Sequence, residues 1–290
     1  MTLKTWTREV HGTTVQMTAE DDLEPWVQVL LALWDGVPPG LLTDGYTVRI
    51  GWGPLQLQER PEGLVVVAPS HGLEEPRWQD DLTTDVRVFG WQRALEDRIR
   101  RNGPMSRYDE VVLVEDGIAE AEAVGAQRFA EPVRGDTGWL VWTADAGTRR
   151  RPLRSLSVES LLVLRPSLLQ LLGQPVGTRA LVRDDQVASV VGPDGVDLWG
   201  DGEPGAPDVT EHPLVAMHRA AVAALPGQTP AWRLHTHVVE DGAVVAVVER
   251  GRGGATAVAD ADLSVLVSGS HEDLDTTLAR FRAGERTPRP

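Results

Sequence analysis

The chain has 290 residues, of which 41% are hydrophobic, and its formal net charge is −15 at pH 7. This length and composition favour a folded protein with one large domain or two to three small ones. Because the chain has no cysteine, disulfides and thiol catalysis are excluded. Any zinc site would need histidine and carboxylate ligands alone.

The acidic excess is spread along the chain and is not confined to a tail. Division at Pro104 and Pro204 gives net charges of −6, −6 and −3. Such a surface repels nucleic acid and anionic lipid and favours a basic partner; ordinary solubility is the alternative explanation. The first residues lack a basic stretch followed by an apolar run, and no segment approaches the ~20 apolar residues of a membrane span, so we expect a cytoplasmic protein.

The N-terminal segment, predicted as a domain over residues 1–104, alternates helices and strands. Thr18 and Asp21 resemble a capping box at the start of a first helix. The apolar positions of that helix recur at helical spacing and include Trp26 and Trp34. Three strands are then expected from the segments TVRIGW, LQLQER and GLVVVAP.

A second helix is predicted from about Thr84 to Arg101, followed by a boundary at Pro104. Its apolar face comprises Val88, Trp91, Leu95 and Ile99. The tryptophans on these two helices, Trp26, Trp34 and Trp91, are interpreted as core residues.

The middle segment, predicted as a domain over residues 105–204, has the most distinctive sequence. DTGWLVW, which begins at Asp136, alternates like a strand. An arginine-rich loop follows, and Pro166 then suits the start of a short leucine-rich helix that Gly173 ends. Pro175 and Gly177 predict a rigid corner before a strand at 179–182.

This order of motifs resembles the bacterial immunity-protein family numbered thirty-three among those paired with polymorphic toxins. The upstream segment VVLVEDGIAEAEAVGAQRFAEPVRGDTGW fits it too, so that the likeness covers roughly residues 108–190. The turn after the Gly-Trp strand departs from the family, since it contains only Asp145 where the family has a more acidic, Glu-containing turn. The family motif maps onto Asp136, Gly138, Trp139, Pro175, Gly177, Arg183 and Asp184.

The C-terminal segment, predicted as a small domain over residues 205–290, begins after a Gly, Pro and Asp-rich linker. Pro213 can start a helix, and Ser270 is interpreted as the cap of a closing helix. Three strands are expected between them, from the segments WRLHTHVV, AVVAVVER and LSVLVS. The predicted fold class is therefore α+β, with mixed or antiparallel sheets and flanking helices in two or three small units.

No catalytic or metal-binding constellation can be selected from the sequence. His235 and His237 lie on one face of a predicted strand, but no third ligand is identifiable, and a solvent-facing pair is the simpler reading. His212 and His218 are six residues apart, which is not the spacing of a helical zinc pair. We therefore predict no enzyme activity, no metal and no cofactor.

Two further clusters also have simple structural explanations. The glycines of GRGGAT at 251–256 lack the Lys-Ser/Thr of a phosphate loop and predict a hairpin loop. The second cluster is a basic island that comprises Arg149, Arg150, Arg151 and Arg154. It predicts a solvated loop, or alternatively a site for an anion or an acidic tail.

Trp78 is the strongest candidate for an exposed binding anchor, because charged residues flank it in EEPRWQDD. Together with Asp136, Trp139, Arg183 and Asp184 it forms the set of candidate partner-binding or motif residues. The resemblance implies an immunity protein that neutralises a cognate toxin, such as a basic nuclease, by direct binding. The alternatives are a secretion-chaperone-like adaptor for an export substrate, an enzyme with dispersed catalytic residues and a protein of some other, uncharacterised function. The sequence does not define the oligomeric state.

Overall fold

The computed structural model describes residues 1–71, 77–130, 135–144, 153–200, 213–226, 234–239, 244–249, 254–269 and 271–288, with backbone alone at 213–215, 235, 237 and 238. The chain forms two compact units. The first comprises Met1–Tyr108 and Leu169–Gly173, and the second comprises Asp109–Leu168 and Gln174–Pro290. The predicted division into three domains, at 104 and 204, stays a prediction about which segments fold alone.

A mixed sheet of six strands forms the first unit, with the order β1-β2-β5-β4-β3 and with β6 paired to β5. Strands β2 and β5 are parallel, and the other pairs are antiparallel. The strands are β1 (Leu3–Val10), β2 (Thr13–Glu20), β3 (Thr47–Ile50), β4 (Gly53–Arg60), β5 (Gly63–Pro69) and β6 (Trp78–Gln79). The helices are α1 (Glu24–Leu33) and α2 (Thr83–Ile99).

The alternation of buried and half-buried residues along β2 explains how this sheet packs against its helices. Val15, Met17 and Ala19 are buried, whereas the residues between them are half-buried, as expected for a strand with one apolar face. These side chains join one core with the buried face of α1 and with Val86 of α2. The helical spacing of the apolar residues therefore predicted the packed face of α1 correctly.

Two predictions in the first unit are wrong. Thr18 does not cap a helix, because it lies in β2 and its hydroxyl lies 2.8 Å from that of Thr5 across the β1–β2 pair. Helix α1 follows a short 3-10 turn at Asp21–Leu23. Trp91 is 37% exposed, because the buried face of α2 includes Gln92 instead. The Gln92 amide donates to the carbonyl of Leu169 at 3.1 Å, which satisfies one of its buried polar atoms.

The second unit contains a mixed sheet of six strands and an antiparallel sheet of four. The first has the order β10-β7-β9-β8-β11-β12, with β7 and β9 parallel; the second has the order β13-β14-β15-β16. The strands are β7 (Val111–Glu115), β8 (Ala123–Arg128), β9 (Asp136–Thr143), β10 (Leu153–Ser157), β11 (Arg179–Arg183), β12 (Gln186–Val191), β13 (Leu234–Val239), β14 (Val244–Glu249), β15 (Thr256–Asp260) and β16 (Val265–Ser268). The helices are α3 (Leu161–Leu164), α4 (Pro213–Ala224) and α5 (Leu274–Arg282), and Pro166–Leu171 is a 3-10 helix.

Both sheets of this unit contribute to one hydrophobic core. Leu140 and Trp142 of β9 meet Val245 and Val247 of β14, together with the buried side of α4. The alternate residues of β14, Val244 and Ala246, pack against α5 on the opposite face. Burial on both faces accounts for the continuous apolar run of β14.

The four-stranded sheet also corrects two expectations. Three strands were expected here, and the structure adds β15 as a fourth. Helix α5 is capped by Asp273, whose carboxylate accepts a hydrogen bond from the backbone N–H of Thr276 at 2.7 Å. The predicted cap, Ser270, lies outside the described residues.

The α+β class is confirmed: helices flank mixed and antiparallel sheets in both units. Among the described residues, no helix has the length and apolar character needed to cross a bilayer.

Candidate functional site

The DTGW sequence forms a bulge at the start of β9. In the β7–β9 pair, Val111 lies opposite Asp136 and Leu113 lies opposite Leu140. Four residues of β9 therefore advance along the pair as far as two residues of β7 do. Gly138 within this bulge has a φ of 74°, a conformation that side-chain-bearing residues rarely adopt. The motif therefore encodes an irregular strand whose extra residues are held in place by specific hydrogen bonds.

Those hydrogen bonds come from the motif itself. The Asp136 carboxylate accepts from the N–H of Gly138 at 2.8 Å. The Thr137 hydroxyl accepts from the N–H of Trp139 at 3.1 Å and donates to the carbonyl of Val111 at 2.9 Å. Asp136 is 5% exposed and Trp139 is 2% exposed. Both predicted residues are thus placed to fix the backbone of the bulge and fill the interior.

A buried arginine that the sequence did not single out joins the bulge to the Pro-Val-Gly corner. Arg128 at the end of β8 is 1% exposed. Its Nε donates to the carbonyl of Thr137 at 3.0 Å, and its Nη1 donates to the carbonyl of Gln174 at 2.7 Å. The Arg128 carbonyl also accepts from the N–H of Gly177 at 2.7 Å. One guanidinium therefore connects two segments that are far apart in sequence.

A cavity of about 10 Å³ lies beside the bulge, which is room for about one water molecule. Asp136 and Trp139 line it together with His218 and Arg219 of α4. The Arg219 guanidinium donates to the carbonyl of Ala130 at 2.9 Å. Burial lowers the pKa of Arg219, and the negative charge of Asp136 opposes that effect. The cavity is too small for a substrate or a cofactor.

His218 belongs to a short polar chain inside the second unit. Its Nδ1 lies 3.1 Å from the Thr236 hydroxyl, which lies 3.1 Å from the Ser155 hydroxyl. Burial, with a smaller contribution from the positive charge of Arg219, lowers the pKa of His218 to about 4. His218 is therefore neutral in the folded protein near neutral pH. The chain of hydroxyls satisfies buried polar atoms on β10, β13 and α4.

This depressed pKa predicts a loss of stability in mild acid. Between the unfolded pKa of ~6.5 and the folded value, unfolded His218 binds a proton and folded His218 does not, so stability falls as the pH falls. We expect the free energy of unfolding to decrease by about 2 kcal/mol from this residue between about pH 7.5 and about pH 5. Urea unfolding at both pH values measures the difference.

His218→Asn and His271→Asn provide the matched comparison for that measurement. Asparagine at position 218 retains a hydrogen-bonding atom near the position of Nδ1. His271 is an exposed histidine and therefore serves as the control position. We expect His218→Asn to flatten the pH dependence, with His271→Asn as the comparison for removal of an exposed histidine. Equal pH dependence in both variants would show that His218 is not the group responsible.

Arg183 and Asp184 lie away from the bulge, at the hairpin between β11 and β12. Arg183 pairs with Gln186 in register, and the two residues between them, Asp184 and Asp185, have φ values of 48° and 58°. Two such values are typical of a type I′ turn, in which asparagine and glycine are usual. Asp184 is exposed and Arg183 is half-buried.

A second unpredicted arginine supports this hairpin. The Nε of Arg165 lies 2.7 Å from a carboxylate oxygen of Asp185, and its Nη1 donates to the carbonyl of Ile118 at 3.1 Å. The Arg165 side chain is 6% exposed, whereas that of Asp185 is 69% exposed. Arg165 therefore holds the turn in place through Asp185, while Asp184 remains accessible.

Trp78 is in the first unit, in β6, where it pairs with Pro69 and is 41% exposed. That unit also contains an unpredicted polar cluster in which the buried Asp85 carboxylate accepts from the Trp52 indole at 3.1 Å. The Nε2 of His71 lies 3.2 Å from the same carboxylate. The sequence of the predicted second helix did not indicate this cluster, because the helix was identified by its apolar and aromatic residues alone.

The remaining sequence candidates are only partly described. Arg154 forms an ion pair with Asp116, whereas Arg149, Arg150 and Arg151 lie outside the described residues. So do residues 251–253 and the side chains of His235 and His237. Within the described part of the chain, no group of three or more His, Asp or Glu residues is arranged to hold a metal ion.

The predicted residues therefore fall into a buried group and an accessible group. Asp136 and Trp139 meet at the bulge, Arg183 and Asp184 form a separate hairpin, and Trp78 belongs to the other unit. Arg128 and Arg165 were missed, although each interrupts an otherwise apolar stretch of sequence. Such an interruption is the one signal that could have indicated a buried arginine.

Comparison with protein families gives a match over the middle of the chain. Residues 92–193 match the Imm33-like domain, which confirms the family resemblance and extends it upstream into α2. The matched span covers about a third of the chain and includes the bulge, the corner and the acidic hairpin. No curated protein and no solved structure gives a significant match.

Proposed function

We propose that this chain, whose residues 92–193 form an Imm33-like domain, is an immunity protein that neutralises a bacterial toxin by binding it directly. The match over that domain carries the proposal. The protein would act without catalysis or a cofactor, in the cytoplasm, where it would meet the toxin as a folded partner. Its specificity would then come from shape, charge and a few anchoring side chains.

The charge of the chain supports a toxin with a basic surface. The formal net charge is −15, and such a field speeds the encounter with a cationic partner and disfavours nucleic acid. A nuclease, which needs a basic surface to hold its substrate, fits this requirement. The rate of association should then fall as the salt concentration rises.

The accessible predicted residues are proposed to contact the toxin. Asp136 and Trp139 are buried and would act only by maintaining the fold. Trp78 offers a large aromatic surface among polar neighbours, which is the usual composition of an interface anchor. Asp184 places a carboxylate at an exposed turn, and the half-buried Arg183 adjoins it.

Capture of the toxin from the native lysate, followed by an activity assay, tests the proposal. The tagged protein should recover one toxin domain, and its addition should abolish the activity of that domain. Recovery of an exported protein that keeps its activity would instead identify a secretion adaptor. Loss of toxin activity is therefore required in addition to binding.

Single substitutions then test the proposed contacts. We expect Trp78→Ala to weaken toxin binding about thirtyfold, because a buried aromatic anchor contributes ~2 kcal/mol. Trp91→Ala is its control, since Trp91 is 37% exposed in the same unit and should have little effect. Asp184→Asn removes the charge of this residue, and asparagine tolerates the positive φ at this position. We expect this variant to weaken binding about fivefold because the charge is lost. Calorimetric titration measures each affinity; equal effects of the two tryptophan variants would contradict the assignment of Trp78.

A further inference from the structure

The first unit contains an open cleft of about 400 Å³ that none of the candidate residues lines. Its walls are residues 42–44, residues 59–61, residues 63–64 and Thr13. It therefore lies where the β1–β2 turn, the loop before β3 and the β4–β5 hairpin meet. Its volume is within the range of ~300–1,000 Å³ that is typical of ligand sites.

Hydrogen bonds and a close backbone approach hold the walls of the cleft in place. The Asp44 carboxylate accepts from the N–H of Glu59 at 2.9 Å, which joins the loop to β4. The N–H of Gly45 donates to the carbonyl of Leu57 at 2.8 Å on the same strand. Gly63 lies so close to β2 that an added Cβ would be 2.6 Å from the carbonyl oxygen of Thr14. The cleft is therefore formed before any partner binds, which reduces the entropic cost of binding.

The polar lining of the cleft has a negative bias. Asp44 and Glu59 each contribute an exposed carboxylate. Among the described residues, the Glu59 side chain has no hydrogen bond and no ion pair. The one cation in the lining, Arg60, donates to the side chain of Gln58 at 2.8 Å and lies 3.8 Å from a carboxylate oxygen of Asp80. Arg60 also donates to the backbone carbonyl of Glu59 at 3.3 Å. These contacts of Arg60 leave the carboxylates of Asp44 and Glu59 to other cations.

Apart from the two threonines, Thr13 and Thr43, the rest of the lining is apolar and suits a methylene chain. Leu42 and Leu64 belong to the first unit's core yet border the cleft. Pro61 continues this apolar surface at the hairpin. Long basic side chains bury their methylene groups on such surfaces and keep the charged end near carboxylates.

We propose that this cleft binds an arginine side chain presented by the partner protein. Its methylene groups pack against Leu42 and Leu64, and its guanidinium lies between Asp44 and Glu59. Arginine fits because its planar donors can serve two carboxylates at once, and the negative cleft complements its charge. This inference rests on the proposed function only for the identity of the partner, which is the toxin.

A peptide titration tests the cleft without the toxin. The blocked pentapeptide Gly-Gly-Arg-Gly-Gly is added to the full-length ¹⁵N-labelled protein, and Gly-Gly-Glu-Gly-Gly serves as the control peptide. We expect saturable amide shifts at Gly45, Gly63 and Leu64 with the arginine peptide alone. Unsaturable shifts over the whole acidic surface, or the same shifts with the glutamate peptide, would overturn the proposal.

Two charge-matched double variants locate the binding. Asp44→Asn with Glu59→Gln removes both carboxylates, while the amide oxygen introduced at position 44 can still accept from the N–H of residue 59. Asp22→Asn with Glu120→Gln removes two exposed carboxylates elsewhere. We expect the first to weaken peptide binding about tenfold, since two exposed ion pairs are lost, and the second to leave it unchanged. Equal weakening by both would overturn the proposal.

The toxin assay then separates this inference from the proposed function. If the protein neutralises the toxin and the cleft variant binds it as tightly as the wild type does, the proposed function stands and the cleft is not the contact. If the peptide binds the cleft but no toxin is neutralised, the arginine site stands and the immunity function fails. Weaker toxin binding by the cleft variant alone supports both.

Discussion

Gly138→Ala is expected to lower the free energy of unfolding by about 4 kcal/mol. An alanine Cβ at this position would lie 2.1 Å from the carbonyl oxygen of Phe129. That oxygen belongs to the backbone, so no side-chain rotation can relieve the overlap. The bulge would have to move, and the hydrogen bond from the Phe129 N–H to the Gly138 carbonyl, at 2.8 Å, would be strained.

Gly195→Ala is the matched control because it isolates the cost of backbone conformation. Gly195 has a φ of 76°, close to the 74° of Gly138, and an added Cβ would meet nothing within 4 Å. We expect this variant to lose only ~1 kcal/mol, the cost of a side chain in the left-handed region. Urea unfolding of both variants measures the two losses. If they are equal, the contact with Phe129 does not define the bulge.

Arg128→Met is expected to lower the free energy of unfolding by about 3 to 5 kcal/mol. The guanidinium donates to the carbonyls of Thr137 and Gln174 inside the second unit. Methionine fills much of the same volume but cannot donate, so both buried carbonyls lose a charged hydrogen bond. Each such bond contributes ~1.5–3 kcal/mol, and leaving its acceptor unsatisfied adds to the loss.

Arg154→Met provides the comparison for Arg128 within the same sheet. Arg154 is paired with Asp116, but its side chain is 55% exposed. Removing an exposed ion pair of this kind costs less than ~1 kcal/mol. Equal thermal and urea stability of the two variants would mean that Arg128 does not join the bulge to the corner.

The sequence predicted those elements in which the local pattern and the tertiary packing agree. The helical spacing in α1 identified its buried face, and the glycine and proline at 175–177 identified the corner. The DTGWLVW segment was correctly predicted as a strand, and the motif order identified the Imm33-like domain. In each case one element's own residues determine its conformation.

The failures occur where distant residues decide the outcome. Thr18 resembles a helix cap locally, but pairing with β1 places it in a strand. Trp91 has the spacing of a core residue, yet the buried Gln92 occupies the adjacent side of α2. Arg128 appears in the sequence as one arginine among 27, and only the bulge and the corner together make it a buried donor.

The same distinction applies to the candidate site. The family motif selected candidate residues without giving them a role, and the structure assigns Asp136 and Trp139 to the interior. Trp78 was selected for its charged neighbours and Asp184 as part of the family motif, and both are accessible. The acidic cleft has no motif, because its walls come from three separate loops that only the folded sheet brings together.

A titration of toxin activity measures most directly whether the chain acts by binding. Purified protein is added in increasing amounts to a fixed amount of the captured toxin domain, and the remaining activity is measured after short and long incubations. Neutralisation by binding predicts an end point at a fixed molar ratio that does not change with incubation time. If substoichiometric protein progressively inactivated the toxin, the chain would be acting as a catalyst, which would contradict neutralisation by binding alone.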